Sequence, residues 1–417
     1  MPKRFVLVTA TFLLSLLLYV DRVCISTAKQ PIMDDLGLTD TQFGWVLSAF
    51  AFGYALMQAP SGAMADKVGP RIVLTTVVGA WSLFTGLTAL AWNFVTMLAA
   101  RFLFGAGEAG AFPSIARAVY SWVPVKERGL TKAVNFSATR IGAAATMPVL
   151  PAMIERLGWQ ASFLTLMVIG FGWAVVWWFW FKDEPEQHPS ISKDELDYIL
   201  ANRQQAQPGA DASPSRLSSA AIYGSGSMWL MMIQYFASNF TFFFTLSWLF
   251  PYIKETYDIA FTEAGFYAMA PLLGGAVGNI FSGWLVDKLY ASGMTTWSRR
   301  LPAMVGFALS AVGLLMSVGQ AEITGAVIWL TIAIFGADMI LSPSWSFCID
   351  IGGSNAGVVS GTMNMAGNLG SAIVAIAFPY LLQWTGGPEA FFYIGAALNA
   401  VAVVLWMAAN PKNVIRA

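Results

Sequence analysis

Apolar stretches of about twenty residues, separated by short polar breaks, run almost end to end through this chain. They fall at 5–27, 43–65, 71–92, 94–121, 128–155, 159–181, 226–252, 262–288, 300–319, 323–348, 356–382 and 387–409. Each is long enough to cross the hydrocarbon layer of a bilayer as an α-helix, the form that satisfies its own backbone there. One long polar interruption, 182–222, collects Pro, Ser, Gln, Asp and Lys. Within it, Ser192-x-x-Glu195 has the form of a capping box and predicts a short amphipathic helix through Arg203, lying as a surface helix under the bundle. The pattern therefore predicts an all-α membrane protein with twelve transmembrane helices in two six-helix halves, 1–181 and 223–417, joined by the linker 182–222.

Composition agrees with that reading: 57% of the 417 residues are hydrophobic and 11% charged, outside the range of ordinary soluble domains. The zero net charge becomes informative only when mapped onto the spans. Sixteen of the 23 Lys and Arg fall on the side that holds both termini: Lys3, Arg4, Lys67, Arg71, Lys126, Arg128, Lys132, Lys182, Lys193, Arg203, Arg216, Lys288, Arg299, Arg300, Lys412 and Arg416. Only Lys29, Arg156 and Lys254 fall opposite, so the positive-inside rule places both termini in the cytoplasm. The opening Met-Pro-Lys-Arg leads into an apolar run with no small-residue cleavage site, which reads as a retained first helix.

Several chemistries have no visible site. Cys24 and Cys348 lie inside predicted helices as structural thiols, without disulfide or metal-ligand spacing, and His188 stands alone in the linker. No Gly-x-x-x-x-Gly-Lys-Ser/Thr loop is present, so an enzyme or nucleotide-driven pump is not expected. No metal, cofactor or nucleic-acid partner is expected; the lipid bilayer is.

The halves carry a weak internal repeat. Gly62-x-x-x-Asp66-Lys67-x-Gly69-Pro70-Arg71 follows the second span, and Gly283-x-x-x-Asp287-Lys288 follows the eighth, with Arg299 and Arg300 beyond a longer loop. Matched loops of this kind suggest a transporter of two related halves. Asp66, Lys67, Arg71 and Asp287 read as conformational clasps rather than solute ligands.

Charges inside the apolar spans are the strongest chemical signal. Arg22 lies within the first span, where a charge costs roughly 2.5–3.5 kcal/mol to insert, so it is expected to face a protein-lined pathway and an anion. Tyr19 and Arg22, three apart, share a helix face, whereas Asp21 turns about 100° away toward a neighbour, expected to be the fourth span. On that span Arg101, Gly105 and Glu108 share a face, so Arg101 is expected to contact Asp21 or Glu108 according to their protonation. The alternative is a permanent structural ion pair.

Taken together, these features resemble the major facilitator superfamily, whose signature loop is matched by Gly62 through Arg71. A narrower resemblance rests on Tyr19-x-Asp21-Arg22, Arg101-x-x-x-Gly105-x-x-Glu108-Ala109 and Gly361-x-x-Asn364-x-x-Gly367-Asn368. These are similar to the anion:cation symporter family, which includes bacterial sugar-acid transporters and the vesicular glutamate and lysosomal sialic acid carriers. The resemblance implies the major facilitator fold and a monomer in the bacterial inner membrane that imports an organic anion with protons by alternating access. It places proton coupling on Asp21, Glu108 and Arg101. It also matches Tyr54, Ser342, Ser344, Trp345 and Asn364 to binding positions, with Asn239 or Gln234 beside them.

Those side chains suit a polyhydroxy acid, that is, an aldonate, uronate or aldarate, because hydroxyl and carboxamide groups left unpaired penalise analogues that lack a hydroxyl. Each could equally make an interhelical hydrogen bond. Arg140 on the fifth span is a candidate second anion ligand, which would favour a dicarboxylate, or the partner of an acid; Asp338 lies within the tenth span. Arg117 and Asp350 read as charges at the cytoplasmic end. An exchanger or uniporter of the same fold, for another carboxylate, and a transporter-like sensor are the alternative functions.

Overall fold

The computed structural model describes residues 2–124, 127–202, 217–352 and 356–415, apart from the side chains of 59, 62, 63, 66, 128–130, 132, 133, 356 and 357. The side chain of Asp66, and Lys126, Arg128, Lys132, Arg203, Arg216 and Arg416 among the expected cytoplasmic charges, thus lie outside the described residues. No strand occurs among the described residues, and eight described helices are long and apolar enough to cross a membrane.

The chain divides into two compact units, Met1–Pro208 and Gly209–Ala417. The first contains α1 (Lys3–Thr27), α2 (Lys29–Leu36), α3 (Asp40–Val68), α4 (Pro70–Ala89), α5 (Phe94–Glu108), α6 (Ala111–Trp122), α7 (Arg128–Leu157), α8 (Trp159–Trp180) and α9 (Lys193–Asn202). The second contains α10 (Ser219–Gly224), α11 (Gly226–Ser247), α12 (Leu249–Tyr257), α13 (Phe261–Ala291), α14 (Trp297–Ser317), α15 (Ile323–Met339), α16 (Leu341–Gly352), α17 (Ala356–Thr385) and α18 (Glu389–Ala408).

Helix occupies every expected span, but three of the twelve are broken in two. The breaks fall at Gly110, Trp248 and Ile340, each three residues before a proline: Pro113, Pro251 and Pro343. A proline has no N–H to return to the residue four earlier, and its ring crowds that carbonyl. In an apolar interior the freed carbonyl needs another donor. Ser282 on α13 supplies one, its hydroxyl donating to the Met339 carbonyl that Pro343 leaves free. The same logic acts inside α17, where Pro379 frees the Ala375 carbonyl and the Trp248 indole N–H donates to it at 3.2 Å.

The repeat glimpsed in the loops extends to the packing. Within the first unit α1 packs on α7, α3 on α5 and α4 on α8; within the second, α11 packs on α17, α13 on α15 and α14 on α18. In span order these are the same three pairings. A basic residue near the start of each half's third span also closes its sixth. Arg71 donates from Nε and Nη2 to the Trp178 carbonyl at 2.9 and 2.8 Å, and Arg300 donates from Nε to the Ala409 carbonyl at 2.6 Å. Cations at helix C-termini satisfy orphan carbonyls and oppose the helix dipole. Lys67 and Asp287 are exposed, and Lys288 lies 4.6 Å from the Trp284 ring.

The linker helix α9 begins as its sequence suggests, with the Glu195 N–H donating to Ser192 Oγ at 3.4 Å. The Glu195 carboxylate, however, does not turn back to complete the box. It accepts from the backbone N–H groups of Lys3 at 2.8 Å and Arg4 at 3.0 Å, capping α1 instead. Arg4 adds ion pairs to Glu195 and Glu127, and His188 sits buried between the rings of Trp122 and Trp180.

Candidate functional site

In the first unit the charged residues of α1 and α5 converge. Helices α3 and α5 approach closely because Gly105 lacks a side chain: a Cβ there would overlap the Phe50 carbonyl. One turn on from Gly105, Glu108 thereby reaches Arg22. Both Nε and Nη2 of Arg22 contact Glu108 Oε1. The guanidinium carbon of Arg22 also lies 5.0 Å from the Tyr19 ring centroid, 5.2 Å from Phe50 and 4.7 Å from Tyr54. Each such cation–π contact contributes on the order of 2 kcal/mol when desolvated, so this cage holds a cation that the bilayer would otherwise expel.

The other two members of the cluster are placed differently from expectation. Asp21 is directed not to the fourth span but to the third, where Trp81 Nε1 of α4 donates to its Oδ2 at 3.1 Å. Arg101 pairs with neither acid. Its guanidinium lies 4.1 Å from the Phe104 ring and 5.8 Å from Phe50, and its Nε and Nη1 are buried without a hydrogen-bond partner. Asp21 Oδ1 and Glu108 Oε2 are likewise buried without one. Two acids and two arginines thus share a buried region with a single ion pair formed between them among the described residues. Groups left unsatisfied at this depth are costly, so the arrangement is suited to exchanging partners.

Arg140 on α7 faces the same cluster. It is buried, and its guanidinium lies 5.9 Å from the Tyr19 ring. Outside the cluster, Arg117 pairs loosely with Glu184 at 3.8 Å, and Asp350 pairs with Arg299 at 2.8 Å.

The second unit separates its candidate ligands into two groups. Gln234 and Ser344 are fully buried and bonded to each other: Ser344 Oγ donates to Gln234 Oε1 at 3.3 Å, and Trp406 Nε1 donates to the same oxygen at 3.3 Å. Gln234 Nε2 donates to the Met231 carbonyl at 3.1 Å. Both sides of this carboxamide are engaged inside the hydrophobic core, so Gln234 and Ser344 act in packing in this conformation. By contrast Asn239, Ser342, Trp345 and Asn364 are only partly buried. Trp345 Nε1 donates to Tyr235 Oη at 3.1 Å, and Asn239 Nδ2 to the Tyr235 carbonyl at 2.9 Å. Asp338 is buried against α13 at Gly275.

Sequence reasoning missed Trp81, Phe50, Phe104 and Tyr235. Their types are ordinary for an apolar helix, and only the indole N–H of Trp81 and the phenol hydroxyl of Tyr235, each of which needs a partner when buried, offered a signal. Among the described residues no group of three metal-ligating side chains occurs.

Among the described residues, helical spans in two repeated halves, with Asp21, Arg101, Glu108 and Arg140 buried in the first and Asp338 in the second, have the form of a multi-pass membrane transporter. The sequence model of the Major Facilitator Superfamily matches residues 11–375, and the chain belongs to that superfamily. It is similar to a probable sulfoacetate transporter of Cupriavidus necator, at 33% identity over 94% of this chain and 90% of that protein. It is also similar to a probable galactarate/D-glucarate transporter of Escherichia coli strain K12, at 30% identity over 98% of this chain and 96% of that protein. Among solved structures, an inward-facing, occupied bacterial homologue of the human lysosomal transporter Spinster matches with a TM-score of 0.77 and 18% identity, over 98% of this chain and 97% of that one. That likeness concerns the fold alone.

Proposed function

We propose that this protein is a proton-coupled symporter that imports a small organic anion, a sugar acid or a comparably compact acid, across the bacterial inner membrane by alternating access. Both termini would be cytoplasmic and the working unit a monomer. The observation that carries the reading is Arg22, caged by Tyr19, Phe50 and Tyr54 and bound to the buried Glu108.

In this scheme the substrate's anionic group and Glu108 compete for one guanidinium. An anion arriving at Arg22 displaces Glu108, whose carboxylate then takes up a proton rather than remain charged and unpaired in an apolar interior. Release on the inner side reverses the exchange: the proton leaves and the Arg22–Glu108 pair re-forms. Asp21 and Arg101 supply a second acid and a second cation to the same exchange, while Tyr19 and Tyr54 orient the anion. Asn239, Ser342, Trp345 and Asn364 are the proposed contacts to its hydroxyl groups; Gln234 and Ser344 support them from the core. Asp66, Lys67, Arg71 and Asp287 act at the loops as conformational clasps.

Names of relatives favour an acid of this size. Sulfoacetate and galactarate each carry two anionic groups, whereas a further relative at 28% identity is named a D-galactonate transporter, whose substrate carries one. The test is internal acidification of proteoliposomes loaded with a pH-sensitive dye and challenged with aldonates, uronates, aldarates, sulfoacetate and aromatic acids. Acidification by one class, abolished in Arg22→Ala, is expected. Binding of an acid without acidification would instead indicate exchange or facilitated diffusion.

A further inference from the structure

Tyr235 on α11 holds two of the second unit's proposed solute contacts, one with each of its oxygens. Its phenol oxygen accepts the Trp345 indole N–H at 3.1 Å, and its backbone carbonyl accepts from Asn239 Nδ2 at 2.9 Å. Tyr235 itself is buried, whereas Trp345 and Asn239 are only partly so and keep surface for a ligand. Two glycines of α17 bring that helix close to α11 at this level. A Cβ at Gly367 would come within 2.6 Å of both Asn239 Nδ2 and the Tyr235 ring, and one at Gly370 within 2.6 Å of the Phe236 carbonyl. Packed this tightly, the Asn239 carboxamide and the Tyr235 ring have little freedom to turn.

These bonds decide what each contact can offer. A carbonyl only accepts, so the amide nitrogen of Asn239 is the atom turned to Tyr235, and Oδ1 lies on the other branch. Among the described residues no donor reaches that oxygen. An acceptor so placed complements a hydroxyl group and repels a carboxylate or sulfonate. An indole nitrogen only donates and carries one hydrogen, which Trp345 commits to Tyr235, so what Trp345 presents to a solute is its ring. An aromatic face beside a fixed acceptor matches a carbon chain that bears hydroxyl groups, with C–H on the ring and O–H on Asn239.

We infer that Tyr235 is a positioning residue for specificity: by fixing Trp345 and Asn239 it sets Asn239 Oδ1 as a hydroxyl acceptor beside an aromatic face, and so selects hydroxylated acids over acids of equal charge without hydroxyl groups. This rests on the proposed function, in which Arg22 holds the anionic group and Asn239 and Trp345 touch the rest of the substrate. It goes further by assigning the hydrogen-bond direction of those contacts and by giving Tyr235 and Gly367 a part in substrate choice. A site built to bond a substrate hydroxyl rejects the analogue lacking it, because its own polar group is then left unpaired.

The test measures binding to the purified full chain in detergent at fixed pH, by calorimetry, without reference to proton movement. Galactarate is compared with adipate, the dicarboxylate of the same carbon chain and charge without its hydroxyl groups, and sulfoacetate serves as a further anion that has none. The expected result is that galactarate binds about tenfold or more tightly than adipate. Asn239→Leu should bring that ratio close to one by weakening galactarate alone. Tyr235→Phe keeps the ring and removes the acceptor for Trp345, and should lower the ratio about threefold or more. Adipate affinity should stay within about twofold of wild type in both variants, whereas a role confined to packing would weaken the two probes alike. Adipate binding as tightly as galactarate or more so, binding of sulfoacetate alone, or an unchanged ratio in Tyr235→Phe overturns the inference while leaving Arg22 as an anion site. Absence of binding by all of these acids, or undiminished binding in Arg22→Ala, overturns the proposed function and this inference with it. If Tyr235→Phe fails to fold, Gly367→Ala takes its place: the added methyl displaces Asn239 and the Tyr235 ring, the same fall in the ratio is expected, and an unchanged ratio there overturns the inference equally.

Discussion

Arg22 contacts Glu108 through two nitrogens that converge on one carboxylate oxygen, Oε1, while Oε2 stays buried without a donor. A carboxylate held by only half of its acceptor capacity is poised to give way to another anion. Glu108→Gln keeps the shape and an oxygen acceptor for Arg22 but cannot exchange a proton. The expected outcome is substrate affinity equal to or above that of wild type, because a neutral amide competes less for Arg22, with proton-driven accumulation lost. Uptake in liposomes with an imposed pH gradient, compared with binding in detergent, checks it. Accumulation at the wild-type level would remove Glu108 from the coupling mechanism.

Trp81 is the sole hydrogen-bond donor to Asp21 Oδ2 among the described residues. Trp81→Phe keeps an aromatic ring in a fully buried site and removes that N–H, so Asp21 would have both oxygens unsatisfied. A buried polar group left without its partner costs about 1–3 kcal/mol, and truncating the ring system adds a packing term. Thermal unfolding in detergent should therefore occur at lower temperature in Trp81→Phe than in wild type. In the double variant Trp81→Phe with Asp21→Asn the two losses should be less than additive, because the groups share one interaction. Strict additivity would show that the indole and the carboxylate act independently.

The spans could be read from the chain because a bilayer leaves a helix few alternatives, and Arg22, Asp21, Arg101 and Glu108 stood out because a charge is rare there. Their pairing could not be read. Arg22 and Glu108 are 86 positions apart, and which face of α1 meets which neighbour depends on close approaches such as Gly105 against Phe50. Periodicity thus turned Asp21 away from Arg22 correctly but could not tell that Trp81 of the third span would meet it. Gln234 and Asn239 look alike in sequence, as carboxamides in an apolar run. Only packing places Gln234 among Ser344, Trp406 and Met231 and leaves Asn239 partly open. Prolines were equally visible at 113, 251 and 343, where helices break, and at 60, 148, 151, 271, 302 and 379, where they continue. Residue type alone did not separate the two sets.

Ser282 and Pro343 provide a test of how such a break is tolerated. The Ser282 hydroxyl replaces the backbone donor that Pro343 lacks, so Ser282→Ala should leave the Met339 carbonyl unsatisfied and cost about 1–3 kcal/mol. In a Pro343→Ala background residue 343 regains an N–H that can serve the same carbonyl, so Ser282→Ala should cost less there. Unfolding free energies for the four-member cycle check this. An equal cost in both backgrounds would mean that the serine contributes by packing rather than by supplying the missing hydrogen bond.

His188 gives the linker a sensitivity to acid. Burial between Trp122 and Trp180, reinforced by the charges of Lys3 and Lys182, holds its imidazole below its ordinary value of 6.5, and Glu195 opposes this only in part. The unfolded chain therefore takes up a proton at this position before the folded one does. Stability consequently rises with pH across the window between the lowered value and 6.5, and falls as acid enters it from above. Wild type should lose thermal stability between about pH 7 and pH 5.5 more steeply than His188→Gln, in which that proton has no site. The comparison needs only unfolding temperatures at a series of pH values and one salt concentration. Parallel profiles for the two proteins would show that His188 is solvated well enough to protonate in place, and that the Trp122–Trp180 contact does not hold it neutral.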